Sequence, residues 1–386
     1  MQLNPRQQCL RSEFREFVDA HIGPHAGTWD REEMLPGEII RQLTQRGYLG
    51  ALVPAERGGA GFDAIEFGLL NEELGRGCSS IRSLLTVHSM VAFTLGRWGN
   101  DTQKAQWLEK LGRAQTIAAF AITEPEAGSD ARSIRTEAVA SGEDFLLTGH
   151  KKWITFGQMA NLFLVFARSQ RGACAFLVEP DTPGFHIFPM QSTLGVRASM
   201  MAEIHLDQCC VPSRNLLGAP GFGLSHIASS ALDYGRYSVA WGCVGIAQAC
   251  LEACLQYTTR RRQFGVPLRD HQLIQRMISQ MVVGVKAARL LCYNAGLLKQ
   301  AADPASILET SIAKYFASRT AAEITSDSVQ IHGANGCSSE YPVERFYRDA
   351  KIMEIIEGSN EIQEIGIAES AYEEIEAVTE SAIVSA

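Results

Sequence analysis

The stretch LSHIASSALDYGRYSVAWGCVGIAQACLEACLQYTTRRR (Leu224–Arg262) runs for more than thirty residues without a proline. Since proline interrupts helices, this stretch predicts one helix about 50 Å long, at about 1.5 Å per residue. Its apolar part, SVAWGCVGIAQACL, is shorter than the roughly 20 residues that cross a bilayer, which favours a buried helix. Two further helical stretches follow, DHQLIQRMISQMVVGVKAARLLCYNAGLLKQ and ASILETSIAKYFASRTAAEITSDSVQIHG. Three long helices with short joints predict a helix bundle.

The beginning of the chain is also predicted to be helical. Apolar residues recur at three- and four-residue spacing in EIIRQLTQRGYLGALV and AIEFGLLNEELGRGC, which is typical of one helix face. The glycine-rich stretch between them, PAERGGAGFD, predicts a loop. It does not match G-x-G-x-x-G, and no strand-turn-helix pattern surrounds it, so a Rossmann NAD site is disfavoured.

The middle of the chain has a different pattern. Gly, Pro, Asn and Asp separate short runs that are rich in β-branched and aromatic residues: TIAAFAIT, DFLLTGHKKWIT, NLFLVFAR, ACAFLVE, FHIFPM and AEIHLDQCCVP. The pattern predicts an antiparallel β domain, either a barrel or a sandwich. The predicted fold class is therefore α+β, with a helical domain (1–117), a β domain (118–223) and a helical bundle (224–386).

Composition excludes some classes of function. The 386-residue chain has a formal net charge of -8, which argues against a broad nucleic-acid-binding surface because such a surface needs a basic patch. The charged start, MQLNPRQQCLRSEFREF, is not a secretory signal, so the cytoplasm is the expected location. Ten cysteines without a C-x-x-C pair predict packed free thiols, and no metal site is predicted.

Two motifs carry groups suited to binding or catalysis. TEPEAGSD (residues 123–130) follows an apolar run, and the hydroxyls of Thr123 and Ser129 and the open backbone of Gly128 could contact a ligand. An ordinary turn would explain the loop equally. In IIEGS, Glu357 stands where an apolar helical segment stops and a charged one begins. Taken alone, it could be a solvated side chain.

Three further motifs have two interpretations each. KKWIT (residues 151–155) would place Trp153 and Thr155 on one strand face, with Trp153 either stacking on a planar ligand or packing in the β core. RRRQFG (260–265) ends the first long helix, where arginines complement the helix dipole or bind phosphate. QIHGANG (330–336) is either a helix stop or a stretch of exposed amides beside an anion or flavin.

The motifs AITEPEAGSD, KKWIT, RRQFG, QIHGANG and IIEGSNEIQ occur in this order along nearly the whole chain. Together they resemble the acyl-CoA dehydrogenase family. The resemblance implies that family's fold, with an N-terminal helical domain, a middle β domain and a C-terminal four-helix bundle. It also implies FAD as cofactor and an acyl thioester as substrate.

The resemblance also implies roles for individual residues. Glu357 matches the catalytic base, and Asp233 and Arg236, in LDYGR, match a pair that binds the thioester arm. The flavin-binding matches are Thr123, Gly128, Ser129, Trp153, Thr155, Arg261, Gln263, Phe264, Gln330, Gly333, Gly336 and Ser359. Because the matches around Arg261 and Gln330 reach the flavin of a neighbouring subunit in the family, a homodimer or homotetramer is implied.

A closer resemblance concerns YGRYSVAWGCVGI and YRDAKIMEIIEGS. These stretches are similar to a subgroup in polyketide and nonribosomal-peptide pathways, whose members oxidise acyl groups held on an acyl carrier protein and make hydroxymalonyl or aminomalonyl extender units. Two positions depart from the commoner family pattern, Phe156 where Asn is usual and Asn161 where Asp is frequent.

Two alternatives remain open at this point. The chain could desaturate an acyl-CoA at the α and β carbons. It could also be a flavin-bearing DNA-associated or structural member of the family, although the acidic balance and the presence of Glu357 weigh against this. No membrane or nucleic-acid partner is expected, and the sequence does not indicate the electron acceptor.

Overall fold

The computed structural model describes the backbone of residues 1–384 and the side chains of residues 1–376. Six helices come first: α1 (Pro5–His21), α2 (Ala26–Glu32), α3 (Gly37–Gln45), α4 (Ala64–Gly77), α5 (Ser79–Trp98) and α6 (Asp101–Gly112). Asn4, Asp63 and Asn100 begin α1, α4 and α6 with capping boxes, in which side chains satisfy free backbone amides at the helix start.

The predicted helix in AIEFGLLNEELGRGC is confirmed as α4, and it is buried on more than one face. Nearly every residue of Ala64–Gly77 is buried. The reason is that α4 packs against α1, α5, α7 and α8 at the same time. A helix that is enclosed on all sides is selected for size and fit rather than for a polar face.

The middle part contains eight strands in one sheet: β1 (Ala118–Ala121), β2 (Glu137–Ser141), β3 (Asp144–Ile154), β4 (Leu162–Ser169), β5 (Gly172–Val178), β6 (Phe185–Pro189), β7 (Ala202–Pro212) and β8 (Leu216–Leu217). The strand order is β6-β7-β3-β2-β4-β5-β8, and β1 pairs with β4. The prediction of a wholly antiparallel domain is wrong at β4, which pairs in parallel with β1 and, at one position, with β2.

The sheet folds over on itself, as in a barrel or sandwich. Phe163 of β4 and Phe185 of β6 are far apart in the strand order, yet their ring centroids are 4.8 Å apart. They share one core with Leu147, Ile204 and other inward-facing residues. The opposite face of β1, β4 and β5 packs against α5 and α6.

The C-terminal part consists of the three predicted long helices and two further ones: α7 (Ser229–Arg260), α8 (Gln272–Gln300), α9 (Ser306–His332), α10 (Val343–Ile355) and α11 (Asn360–Val384). A π-helical turn, Gly223–Ala228, leads into α7. Between α7 and α8 lies a two-stranded ribbon of β9 (Arg262–Gln263) and β10 (Val266–Pro267).

Glycines let α4 and α7 approach closely. A Cβ atom at Gly245 would overlap the carbonyl oxygen of Glu72, and one at Gly75 would lie 2.5 Å from the carbonyl oxygen of Gly242. The tight crossing places Trp241 and Tyr237 of α7 in one core with residues of α1, α3, α4 and α5. The N-terminal and C-terminal helices therefore share a single hydrophobic core.

Among the described residues, two helical segments are long and apolar enough to cross a membrane, Gly223–Arg260 and Gln272–Gln300. The prediction that the apolar run near Trp241 forms a buried helix is confirmed. In the first segment 72% of the most apolar window is buried inside the protein, against 33% in the second. The first is a core helix, whereas α8 carries an exposed apolar face.

Candidate active site

Glu357 lies at the joint between two helices, as predicted. Helix α10 ends at Ile355 and α11 begins at Asn360. Glu357 and Gly358 both have left-handed backbone, with φ angles of 55° and 91°. A residue other than glycine rarely adopts this conformation, so contacts around the joint must hold Glu357 in place.

Two cationic side chains supply those contacts, the buried Lys314 and the partly buried Arg236. Lys314 of α9 donates from Nζ to the carbonyl oxygen of Gly358 at 2.9 Å and to Oδ1 of Asn360 at 3.0 Å. Arg236 of α7 donates from Nε to the carbonyl oxygen of Glu357 at 3.1 Å. Carbonyl groups that no helix can satisfy are thus paired with charged donors, which form the stronger class of hydrogen bond.

The carboxyl end of Glu357 is enclosed, although the residue as a whole is only partly buried. Its Oε2 is shut off from solvent and has no hydrogen-bond partner. Burial raises the pKa of Glu357 to about 7, against the lowering effect of Arg236, Arg82 and Lys314. A Cβ atom at Gly235 would lie 2.5 Å from Oε2, so the glycine leaves the space that the carboxyl group occupies.

Arg82 of α5 is the second unusual charge in this region. It is fully buried, and it donates from Nη1 to Oγ1 of Thr86 at 3.0 Å and from Nη2 to Oγ of Ser83 at 3.1 Å. Its Nη2 also lies 3.1 Å from the sulfur of Met353, and its Nε has no partner. Among the described side chains no carboxylate forms an ion pair with Arg82. Burial lowers its pKa, and a buried guanidinium without an anion is energetically unfavourable.

Asp233 and Arg236, the predicted thioester-arm pair, lie one turn apart on α7. Oδ2 of Asp233 accepts a hydrogen bond from Nζ of Lys299 at 2.5 Å, while its Oδ1 is enclosed without a partner. The Lys299 ammonium lies over the rings of Tyr234 and Tyr237. Asp233 is therefore neutralised by Lys299, and only Arg236 of the pair contacts the joint that holds Glu357.

A buried ion pair fixes the loop that begins at Thr123. The Glu124 carboxylate accepts hydrogen bonds from Nζ of Lys151 and from Oγ1 of Thr136, each at 2.6 Å. Burial lowers the pKa of Lys151 to about 8, although Glu124 opposes this. The backbone N–H of Lys152 donates to the carbonyl oxygen of Thr123 at 2.9 Å. The structure thereby brings the predicted loop 123–130 against the KKWIT segment.

Trp153 departs from the predicted strand geometry and from the prediction that it packs in the β core. It has a left-handed backbone with φ of 62°, and the register of β3 with β7 shifts between Lys151 and Ile154. The prediction that Trp153 and Thr155 share a strand face is wrong, because β3 ends at Ile154 and the shift breaks the alternation. Trp153 is 52% exposed, so it is not a core residue either. Its open indole is a flat exposed surface on which a planar ring can stack.

The RRRQFG motif forms the ribbon that follows α7. Because α7 ends at Arg260, one of the three arginines lies in its last turn and the other two directly follow the helix end. The Arg261 guanidinium has no carboxylate within ion-pair distance among the described side chains. Gln263 is exposed in β9, and Phe264, at the turn of the ribbon with φ of 51°, is 95% exposed.

The QIHGANG loop ends α9 as the helix-stop interpretation predicts. Gln330 and Gly333 are exposed, and Gly333 has φ of 59°. A Cβ atom at Gly336 would lie 2.5 Å from the carbonyl oxygen of Val329, so glycine is needed for packing. The Asn335 amide donates to the Tyr257 hydroxyl at 3.0 Å, one turn before the ribbon.

The predicted residues therefore fall into two groups. The Thr123 loop and Trp153 lie together, and so do the Arg261 ribbon and the Gln330 loop. No hydrogen bond or ion pair in the part of the chain with described side chains joins the second group to Trp153 or to Glu357. Ser359 precedes α11, where its carbonyl oxygen accepts from the Gln363 N–H at 3.0 Å.

Several polar residues near the site were not predicted. Each one is a charged side chain in an apolar or helical segment: Arg82 in SSIRSLLTV, Lys151 in LLTGHKKWI, Lys314 in SIAKYFA, and the partners Glu124 and Lys299. For Arg82 and Lys314, a lone charge in an apolar segment is the signal that could have identified them, because such a charge needs a buried partner.

Three sequence models of acyl-CoA dehydrogenases match the chain. The N-terminal domain model matches residues 4–115, the middle domain model residues 119–209 and the C-terminal domain model residues 223–372. The glutaryl-CoA dehydrogenase of Desulfococcus multivorans is 38% identical over 376 residues, covering 95% of this chain and 96% of that protein. The mitochondrial short-chain specific acyl-CoA dehydrogenase of Rattus norvegicus is 37% identical, covering 95% and 90%.

Solved structures give the same result. A glutaryl-CoA dehydrogenase from Mycobacterium smegmatis in complex with FADH2 superposes with a TM-score of 0.91, at 32% identity, over 96% of this chain and 95% of the other. FkbI, for biosynthesis of the methoxymalonyl extender unit of the Fk520 polyketide, gives 0.86 at 35% identity, over 94% and 99%. The prolyl acyl carrier protein oxidase AnaB gives 0.91 at 28% identity, over 96% and 100%.

These likenesses span nearly the full length of the chain, and one of the similar structures was solved with FADH2. FAD is thus the cofactor, and the protein is an enzyme that oxidises acyl thioesters. The chain belongs to the acyl-CoA dehydrogenase family.

Proposed function

We propose that the protein oxidises a small acyl group held as a thioester on an acyl carrier protein, in a polyketide or nonribosomal-peptide pathway, with Glu357 as the catalytic base. The observation that carries the chemistry is the enclosed carboxyl group of Glu357, which has no hydrogen-bond partner on Oε2. With a pKa of about 7, this group is basic enough to take a proton and is still substantially ionised near neutral pH.

The residues around Glu357 have separable tasks in this proposal. Glu357 takes a proton, either from the carbon next to the thioester carbonyl or from a hydroxyl of an aldehyde hydrate. FAD, when bound, supplies the acceptor for the hydride that leaves the acyl group. Arg236 and Lys314 hold the backbone of the joint, so the carboxyl group needs little reorganisation during the reaction.

The carrier-bound substrate is supported by the likeness to FkbI and AnaB, both matched over at least 94% of this chain. A second candidate is desaturation of an acyl-CoA. It is favoured by the identities of 38% and 37% with the glutaryl-CoA and short-chain dehydrogenases. Both candidates use the same base and the same cofactor, and they differ in what carries the acyl group.

The surroundings of Arg82 favour one chemical class of acyl group. Its guanidinium is buried without a carboxylate partner, and its charge acts on Glu357. An anionic or strongly polar acyl end beside Arg82 would supply the missing partner, since charged groups buried in proteins are generally paired. We therefore favour a short acyl group with a carboxylate or an aldehyde hydrate at its end over a plain hydrocarbon chain.

Rapid mixing under anaerobic conditions tests the carrier. The oxidised enzyme is mixed with one acyl group on carrier protein and, separately, on CoA, and loss of the flavin absorbance is followed. Faster bleaching by the carrier-bound form supports the proposal. Bleaching by the CoA ester with no response to the carrier-bound form would contradict the proposal and favour desaturation of an acyl-CoA.

A matched pair of variants tests the role of Arg82. Arg82→Met keeps the length and apolar packing of the side chain, and Arg97→Met changes an exposed arginine on the same helix. We expect Arg82→Met to slow bleaching by a dicarboxylic thioester at least about tenfold more than bleaching by a neutral one, because one charge-assisted contact is lost. Equal losses for both thioesters would contradict an anion-binding role. Arg97→Met should affect neither.

We infer that a second copy of the chain completes the flavin site. The support is the separation of the Arg261 ribbon and Gln330 loop from Trp153, together with the 95% exposure of Phe264. A large apolar side chain projecting from a ribbon is typical of a surface that another protein covers. A homodimer or a homotetramer would satisfy this inference.

A further inference from the structure

The outer face of the middle domain carries a row of histidines. His186 of β6, His205 of β7 and His150 of β3 are directly opposite one another in the sheet register. Side chains that are opposite in neighbouring strands share a face, with Cβ atoms about 5 Å apart. The inner face of the same strands holds Ile204 and Leu206, so the histidines point away from the core.

Three donor atoms of this face converge. Nε2 of His150 lies 2.9 Å from Oε2 of Glu203 and 3.1 Å from Nε2 of His205, and the remaining distance, from His205 to Glu203, is 3.8 Å. A circle through these three atoms has a radius of about 1.9 Å. A point slightly above their plane is therefore about 2.0–2.1 Å from all three, which is the bond length of zinc to imidazole nitrogen and carboxylate oxygen.

Two-centre hydrogen bonds cannot satisfy both contacts of His150 Nε2 at once. If His150 carries its proton on Nε2 and donates it to Glu203, the same nitrogen cannot also accept from His205. If His205 donates instead, the contact between His150 and the carboxylate brings two acceptors together. Lys152 occupies only the other oxygen, Oε1 of Glu203, at 2.8 Å. A cation between the three atoms removes the conflict.

We propose that His150, Glu203 and His205 bind one divalent transition-metal ion of the zinc class through Nε2, Oε2 and Nε2, at a site separate from the acyl site at Glu357. Two imidazoles and one carboxylate are a donor set that zinc uses in proteins, and at least one further position would be left for water. The ion would tie β3 to β7 three residues before Trp153. The cysteine spacing predicted no metal site, because these ligands are 55 residues apart in the chain and only the strand register brings them together.

Calorimetric titration of the FAD-loaded enzyme with Zn²⁺ tests the site, after removal of any histidine tag and any chelator. We expect one strong site per chain and a rise in melting temperature on loading, since a ligand that binds only the folded state stabilises it. His205→Ala and Glu203→Gln should each weaken Zn²⁺ binding at least about tenfold, the loss seen when even the supporting residues of metal sites are removed.

His186→Ala is the matched control, because His186 lies on the same face and opposite His205 but outside the three converging atoms. It should keep Zn²⁺ affinity within about threefold of the unmodified protein, since it removes no ligand of the three-residue site. The proposal is overturned if the enzyme binds no stoichiometric Zn²⁺. It is also overturned if His205→Ala binds as the unmodified protein does, or if His186→Ala loses as much affinity as His205→Ala.

Discussion

Glu357 has three cationic neighbours, Arg236, Arg82 and Lys314, and its pKa is nevertheless raised to about 7 from an ordinary value of 4.5. Three positive charges would by themselves hold a carboxyl group far below its ordinary pKa. Burial of the carboxyl end therefore outweighs all of them together. The cations lower the pKa enough for the carboxyl group to ionise in an enclosed space, and the enclosure keeps that pKa above its ordinary value.

Replacing Glu357 with glutamine should separate chemistry from cofactor retention. Glu357→Gln preserves the size of the side chain and removes the base, so turnover should fall at least about a hundredfold. FAD content should stay at one per chain, because the joint is held through backbone carbonyls that the variant keeps. Turnover is measured with the best thioester found by rapid mixing, and FAD by absorbance. Undiminished turnover would remove Glu357 from the mechanism.

The same substitution should change how stability depends on pH. The folded-state pKa of Glu357 lies above its ordinary value, so the group adds stability below pH 4.5, and this contribution disappears as pH rises through about 7. Glutamine does not titrate. Between pH 5 and pH 8.5, the free energy of unfolding of Glu357→Gln should therefore rise relative to that of the unmodified enzyme. Both are measured by urea titration with FAD in excess. Parallel curves would show that the carboxyl group is not protonated preferentially in the fold.

At the scale of elements, local patterns predicted the long helices and six of the eight strands of the sheet. Strands β2 and β8 were missed because β2 is mostly exposed and β8 has only two residues. The parallel pairing of β1 with β4 was missed because register is decided by partners 44 residues away, as between Ala118 and Leu162. Local patterns also could not show that α4 is enclosed on all sides.

Part of the candidate site was also predictable from local sequence patterns. Motif positions placed Glu357 at a joint between helices and Thr123 in a loop after a strand, and the structure has both there. The outward turn of Trp153 depends on a left-handed residue and a register shift that no sequence pattern showed. Arg82 is 275 residues from Glu357 in the chain, so only the packing of α5 against α10 reveals that its charge acts there.

The buried pair of Lys151 and Glu124 gives a prediction about strand β3 and its loop. Lys151→Met leaves the Glu124 carboxylate buried without its cation, which should cost about 3–5 kcal/mol of stability. The loop 123–130 should loosen as well, so FAD affinity should fall. Urea titration and FAD titration measure the two effects. Lys152→Met is the control, because it removes a partly exposed ion pair with Glu203 that is worth at most about 1 kcal/mol. Equal effects of the two substitutions would contradict the proposed role of Lys151.

For the whole molecule, the exposed apolar residues support the proposed contact with another copy. Val283, Leu290 and Leu297 are exposed at seven-residue spacing on α8, so they form one stripe along the helix. Phe264 stands out from the neighbouring ribbon. Both features lie in the C-terminal part of the chain, which also contains the Arg261 ribbon and the Gln330 loop.

Substitution of Phe264 should therefore weaken assembly and cofactor binding together. We expect the unmodified protein to sediment as a dimer or larger, and Phe264→Glu to shift it towards the monomer with lower FAD occupancy, because a charge cannot be buried there without a partner. Met34→Glu changes an exposed apolar side chain in the N-terminal part and should leave the sedimentation unchanged. A monomer with full FAD occupancy would contradict the inference.

The close crossing of α4 and α7 sets the order in which a growing chain can fold. Helix α4 is complete by residue 77, but the glycines against which it packs, Gly242 and Gly245, are synthesised more than 160 residues later. Until then its apolar sides lack their final neighbours. Nascent chains stalled on the ribosome before α7 has emerged should therefore engage chaperones through α4, and release from them should coincide with the appearance of Gly245 outside the exit tunnel.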